Sequence, residues 1–201
     1  AASHQGRDRL LILALLNQET SMLEPLLLTL REAPAWIDTS NPQGKAAVRG
    51  IEKGLLVLPI WLGDNAQYVP PQGAVGSLSL IVPLVPDGTQ PWEITPARVQ
   101  SLQYQSDRRL TGVRVVIPEA DLTSAIVFTS DLTENGLVAR WQNHTRLMAP
   151  QAAQWARDLA TVQYEKVKKT HYELEDLAPP ARNASELLKQ AEQRLESARR
   201  Y

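Results

Sequence analysis

Glycine and proline crowd the middle of this chain, and their placement limits what it can fold into. Nine of the ten glycines lie between positions 44 and 136, and ten of the fourteen prolines between 34 and 118. Glycine adopts backbone angles that other residues avoid, and proline cannot donate to a helix, so both punctuate turns and interrupt helices. The middle therefore reads as short strands and loops. No glycine follows Gly136, and the tail is rich in Ala, Leu, Glu, Gln, Lys and Arg, all good helix formers. The order is helix, β-rich middle, helices.

The N-terminal part carries ten leucines between Arg7 and Glu32. The apolar run 10–16 is bounded by Arg7, Asp8, Arg9 and Glu19, which makes it too short to span a bilayer. It meets Asn17, Gln18 and Glu19 instead of a small-residue cleavage site, so it does not read as a signal peptide. The expectation is a buried amphipathic helix bent near Pro25, abrupt enough at its start to look like the end of something longer.

Several central runs have strand character. Residues 55–62 are almost continuously apolar and contain Pro59, which fits a strand buried on both faces or an irregular edge. In 77–82, Leu78, Leu80 and Val82 alternate with Ser79 and Ile81; in 113–117, Val113, Val115 and Ile117 alternate with Arg114 and Val116. Residues 123–129 read as a buried strand. Residues 137–147 also alternate, with Leu137, Ala139, Trp141 and Leu147 opposite Val138, Arg140, Gln142, His144 and Arg146. Turn signals stand at 63–65, 86–88 and 134–136. The pattern predicts an antiparallel β-sandwich.

From Pro150 the period becomes helical. Ala160, Tyr164, Val167, His171, Leu174 and Ala178 follow alternating four- and three-residue steps, the seam of a packed helix pair. Pro179 and Pro180 end that helix. Asn183 then caps another, with Glu186 completing a capping box and Leu188, Ala191, Leu195 and Ala198 forming its stripe. The predicted class is α+β: an antiparallel β-sandwich (34–149) preceded by a leucine-rich helix (1–33) and followed by a helical hairpin (150–201). The last helix reaches Tyr201 without a stop signal, as if a longer polypeptide continued.

The 201 residues include 21 basic and 22 acidic side chains, for a net charge of -1. Near-neutrality removes the electrostatic drive for binding nucleic acid or acidic membranes. There is no cysteine, hence no disulfide, thiol nucleophile or thiolate metal site. The three histidines, at 4, 144 and 171, are too scattered for a metal cluster. No cofactor or metal is expected. Phosphate-loop, dinucleotide, nucleophile-elbow, zinc-protease and EF-hand spacings are missing.

Paired acids deserve a test because they can hydrolyse glycosides at separations of roughly 5–9.5 Å. Asp121 and Asp131 flank the strand 123–129, which would hold them at its opposite ends. Each Asp-x-Thr reads better as a turn whose acid bonds backbone amides two residues on. Of the eleven aromatics, Trp61 and Trp141 read as core anchors. Tyr68 and Trp92 lie among prolines; there they can stack on sugar faces or clamp their own loops. Asn65, Gln67 and Gln90 stand near them as candidate partners for hydroxyls. His144 sits on the polar face of its predicted strand, and His171 on the helical seam as a packed histidine.

The motifs LALLNQETSMLEPLL (13–27), KGLLVLPIWLGDNAQYVP (53–70), PWEITPARVQSL (91–102), GVRVVIPEADLTSAIVFTSD (112–131) and AAQWARDLA (152–160) carry a family resemblance. The chain resembles the C-terminal β-sandwich region of large glycoside-hydrolase-like multidomain proteins of planctomycete-type bacteria. In such proteins the catalytic acids lie in a barrel, so the resemblance carries over no catalytic residue. It implies a non-enzymatic accessory region, secreted or periplasmic, that supports a carbohydrate-active module beside neighbouring domains of a longer polypeptide. Weak glycan contact through Tyr68 and Trp92, assisted by Asn65, Gln67 and Gln90, is the expected binding role. The competing expectation is a protein-interaction or self-association module that uses the C-terminal helical pair.

Overall fold

A computed structural model describes residues 4–61, 76–107, 112–120, 124–175 and 183–199. The elements are α1 (His4–Leu27), β1 (Arg31–Asp38), β2 (Gly44–Ile51), β3 (Gly54–Trp61), β4 (Gly76–Pro83), β5 (Gln90–Ile94), β6 (Val99–Ser101), β7 (Gln103–Asp107), β8 (Gly112–Ala120), β9 (Ala125–Thr129), α2 (Leu137–Glu175) and α3 (Ala184–Arg199). Six strands form one antiparallel sheet in the order β1-β2-β3-β9-β5-β6, and three form a second in the order β4-β8-β7. The fold is α+β, with packed antiparallel sheets between an N-terminal helix and two C-terminal helices.

The strand β9 is buried at all five positions because the large sheet is covered on both faces. Ile126 and Phe128 point into the space between the sheets, where they meet Val57, Leu78, Leu80, Val82, Val115 and Ile117. Ala125 and Val127 point the other way, into a second core with Leu56, Ile94, Met22, Leu26, Leu137 and Trp141. The neighbouring β3 alternates in the same way: Leu55 and Val57 face the sandwich, and Leu56 and Leu58 the helices. A strand buried on both faces needs apolar residues at every position, which accounts for the unbroken apolar run at 55–58. Pro59 lies beyond the stretch paired with β9, where β3 has a partner on one side only.

The small sheet keeps strict alternation because only one of its faces is covered. Leu78, Leu80 and Val82 are buried on β4, and Val115 and Ile117 on β8. Three contacts tie the end of β1 to the β4 edge: a bridge between Thr39 and Leu80, a 2.8 Å bond from the Ser40 N–H to the Ser79 carbonyl, and a 2.9 Å bond from the Ser79 N–H to the Ser40 hydroxyl. At the β2–β3 turn only glycine fits. Gly54 has φ +152°, and a Cβ there would fall 1.7 Å from the Phe128 carbonyl oxygen. The Pro86-Asp87-Gly88 turn is present, closed by Thr89 bonding the Pro86 carbonyl.

The segment 137–147 corrects the expectation of a strand. It is the start of α2, a 39-residue helix that reaches back well before Pro150. Leu137, Val138, Trp141 and Thr145 are buried, at one-, three- and four-residue steps, so the true period is helical and Val138 belongs with the core. Nor is a sheet edge open beside β9, because β3 and β5 occupy both of its sides. Trp141 is the core anchor expected, reached from a helix; its indole N–H donates to the Met22 carbonyl at 3.0 Å. The Trp61 side chain lies outside the described residues.

The first helix also differs from expectation. It ends at Leu27, two residues after Pro25, and Arg31 and Glu32 already belong to β1. Among its described side chains it is buried at Gln18, Met22 and Leu26, while Leu10, Ile12, Leu13 and Leu16 are exposed. The chain divides into two compact units, Glu19–Ala149 and Ala1–Gln18 with Pro150–Tyr201, and α1 and α2 contribute to each. In the helical unit Arg7 pairs with Asp158 at 3.7 Å, and Ala152 and Val162 are buried.

Leu84 has φ 54°, in the left-handed region that disfavours any residue with a Cβ, and its side chain is 87% exposed. Leu84→Gly should therefore raise stability by roughly 0.5–1 kcal/mol, the left-handed penalty less the added chain entropy. Urea titration checks this; a lower midpoint would mean that contacts of the leucine outweigh the strain.

Candidate functional site

Of the residues singled out for sugar contact, the structure describes Gln90 and Trp92, both on β5. Asn65, Gln67 and Tyr68 lie outside the described residues, as does Asp121. Trp92 is not on a loop: it is the third residue of β5, paired with Ser101 and Val127. It is half-buried, and its Nε1 is shielded from solvent without a hydrogen-bond partner. Gln90, the first residue of β5, is exposed. Pro91 between them is buried against the sheet, so the surrounding prolines mark a strand entry that composition reads as loop. His144 lies on α2 instead of a strand's polar face, and its Nε2 is shielded without a partner.

Sequence reasoning missed the charged network around Glu93. Glu93 is completely buried, on the sandwich-facing side of β5 beside Ile126. Ser124 donates to its Oε1 at 2.9 Å and Gln100 to its Oε2 at 2.6 Å, while Arg98 approaches Oε2 at 3.2 Å. Arg98 also binds Glu119 of β8, through the carboxylate at 3.2 Å and the carbonyl at 3.3 Å. One guanidinium thus spans the two sheets. Both carboxylate oxygens of Glu93 are occupied by neighbours, so the group works as a pin between sheets. The available signal was a lone acid in the strand run 90–94, with Arg98 and Gln100 at even spacing after the turn.

Asp131 has a structural place, but its partners differ from the amide two residues on that was expected: it takes the Thr133 hydroxyl and an amide six residues on. It accepts from Lys53 at 3.1 Å, from the Leu137 N–H at 3.2 Å and from Thr133 at 3.2 Å, which caps the start of α2. The hydrogen bond from the Lys53 ammonium holds its carboxyl below the usual carboxylate value of 3.8. Among the described residues no group of three or more His, Asp or Glu is placed to hold a metal ion. Among the described residues no helix is long and apolar enough to cross a membrane.

A concave surface lies between α2 and α3. The seam expected from sequence is there: Ala160, Tyr164, Val167 and His171 face Leu188, Ala191 and Leu195 across the pair. The helices run antiparallel, as the contacts Lys168–Glu192 and His171–Ser185, each at 3.5 Å, establish. Lys168 also lies 5.3 Å from the Tyr164 ring centroid, and hydrogen bonding to Tyr164, then Glu192, holds its ammonium above the ordinary value. His171 is half-buried beside Ser185, a less enclosed place than a core histidine. These polar contacts occupy one side of the pair. The other side opens into an apolar groove of about 570 Å³ lined also by Ala184 and Leu187. Val167 is 58% exposed and Leu187 55%, and no residue of α3 is buried.

Comparison with known proteins found no matching family model, no matching curated protein and no matching solved structure.

Two outcomes test the structural roles assigned to the acids. Glu93→Gln should cost about 1–3 kcal/mol, because charge-assisted bonds inside the sandwich are lost, as read from denaturant midpoints. Asp131 has a folded pKa below its unfolded value, so its contribution is complete above the unfolded value and fades as pH falls through the folded one. Below about pH 4 the wild-type melting temperature should therefore fall more steeply than that of Asp131→Asn; parallel curves would refute the assignment.

Proposed function

We propose that this chain is a non-catalytic accessory region whose work is protein docking, performed by the groove between α2 and α3. The observation that carries the reading is the exposure of Val167 and Leu187 in a concave, almost wholly apolar surface. A surface helix ordinarily buries its apolar stripe and presents a polar face to water. In α3 the stripe Leu187, Leu188, Ala191 and Leu195 is left half-covered by α2, and the helix has no buried residue to hold it in place. An added helix would remove that stripe from water, in the manner of a helix laid into an apolar groove. The alanines at 160, 184 and 191 keep the floor low enough for close approach of another backbone.

A fluorescein-labelled synthetic amphipathic helix with a Leu/Ala stripe tests the reading. Titrating the full chain into it should raise its anisotropy, and Val167→Glu with Leu187→Glu should weaken binding by at least about tenfold, since each change sets a charge against the docked apolar face. Both sites are exposed, so the variant should keep its helical circular dichroism. Equal binding by wild type and variant, or no binding at all, would overturn the proposal.

A further inference from the structure

We infer that the occupant of the α2–α3 groove is a second copy of this chain, two hairpins closing into an antiparallel four-helix bundle; the inference rests on the docking role of that groove. Charge complementarity along the groove favours this occupant. The contacts Lys168–Glu192 and His171–Ser185 set the levels of the two helices and place Gln190 between the levels of residues 166 and 170 of α2. Four residues beyond Gln190, Arg194 lines the groove, and four residues before it stands Glu186. On α2, Lys166 lies at the start of that span and Glu173 three residues beyond its end. Lys166 and Glu186 immediately precede the groove-lining Val167 and Leu187, and Glu173 likewise precedes Leu174 of the same seam, so all three flank the groove on the same side of their stripes. All four charged side chains are exposed. Arg194 and Lys166 thus flank one end of the groove, and Glu186 and Glu173 the other, where Glu186 also accepts from Gln190 at 3.1 Å and Glu173 lies 3.7 Å from Lys169 of its own helix.

In a two-fold contact, residue i of one copy meets j of the other and j meets i. A two-fold axis level with Gln190, lying between the hairpins and perpendicular to the helices, inverts the levels. It brings Arg194 of one copy to Glu186 of the other, and Lys166 to Glu173. The same operation interleaves the apolar residues: Leu187 of one copy falls between Ala191 and Leu195 of the other along the α3–α3 contact. An axis parallel to the helices would instead keep the levels and set Arg194 against Lys166, a repulsive pairing. A face two helices wide and 16 residues long measures about 24 by 20 Å, on the order of 500 Å² per copy. That is below the ~800 Å² per partner of stable complexes, so the dimer should dissociate in the micromolar range.

Sedimentation velocity of the full chain over about 1–200 µM reads this directly, the micromolar range being the one that the contact area sets. The expected result is a mass rising with concentration toward twice the 22.3 kDa of one chain. Arg194→Glu and Glu186→Arg should each raise the dissociation constant by about fivefold or more, because the symmetry repeats every lost pair. The double variant carrying both changes should restore it to within about threefold, because the swapped charges meet again. Two results would overturn the inference. One is a monomer at every concentration; if the synthetic helix still binds, the groove is a docking site for another protein, and if it does not, the docking reading falls as well. The other is a dimer unaffected by the charge variants and by Val167→Glu with Leu187→Glu, which would place the contact elsewhere on the chain.

Discussion

The burial of β9 on both faces is the constraint on which the β-rich unit depends. Its five residues take part in two cores at once, one between the sheets and one against the helices. Such a strand must be apolar throughout, must lie at the centre of its sheet, and must have partners on either side. β3 and β5 supply those partners, and β3 carries the same two-sided load through Leu55, Leu56, Val57 and Leu58. Because Phe128 and Val127 serve opposite cores, disturbing either core reaches the other through one backbone. The close approach of Gly54 to the Phe128 carbonyl fastens the β2–β3 turn to that same strand.

Polar side chains do their work at the margins of this core. Arg98 reaches from the β5–β6 turn to Glu93 in one sheet and Glu119 in the other, and sits at the solvent boundary, where part of the guanidinium stays hydrated. This spares the network much of the desolvation cost of a fully enclosed ion pair. Asp131 has a similar position between the end of β9 and the start of α2, joined to Lys53 and to an otherwise unpaired helix N–H. The helical pair follows the opposite economy. Its ion pair and ring contacts lie on one side, and the apolar side is left open to water, which is why its function is best sought in what covers it.

Much of this organisation is legible in the chain itself. Alternation placed β4 and β8 with the correct inward residues, because each has one covered face and period two survives. The heptad steps through Ala160, Tyr164, Val167 and His171 located the α2–α3 seam for the same reason, one face of a helix meeting one neighbour. Where a segment meets two neighbours the pattern blurs. Residues 137–141 are apolar at adjacent and four-apart positions together, which suits a strand as well as a helix, and Trp92 sits among prolines that composition alone assigns to a loop.

By itself, then, the sequence determined that the class is α+β, and it located the strands at 55–61, 77–82, 113–117 and 125–129 and the two helices of the tail, since glycine, proline and apolar periodicity act within a few residues. The tertiary structure alone decided that 137–147 is helical, because β3 and β5 already occupy both edges of β9. It alone brought Glu93, Arg98, Glu119 and Ser124 together, since strand order is a matter of long-range pairing that no local pattern encodes. It alone showed that the α2–α3 stripe is open on one side, because exposure depends on which neighbours arrive and not on the residues that await them.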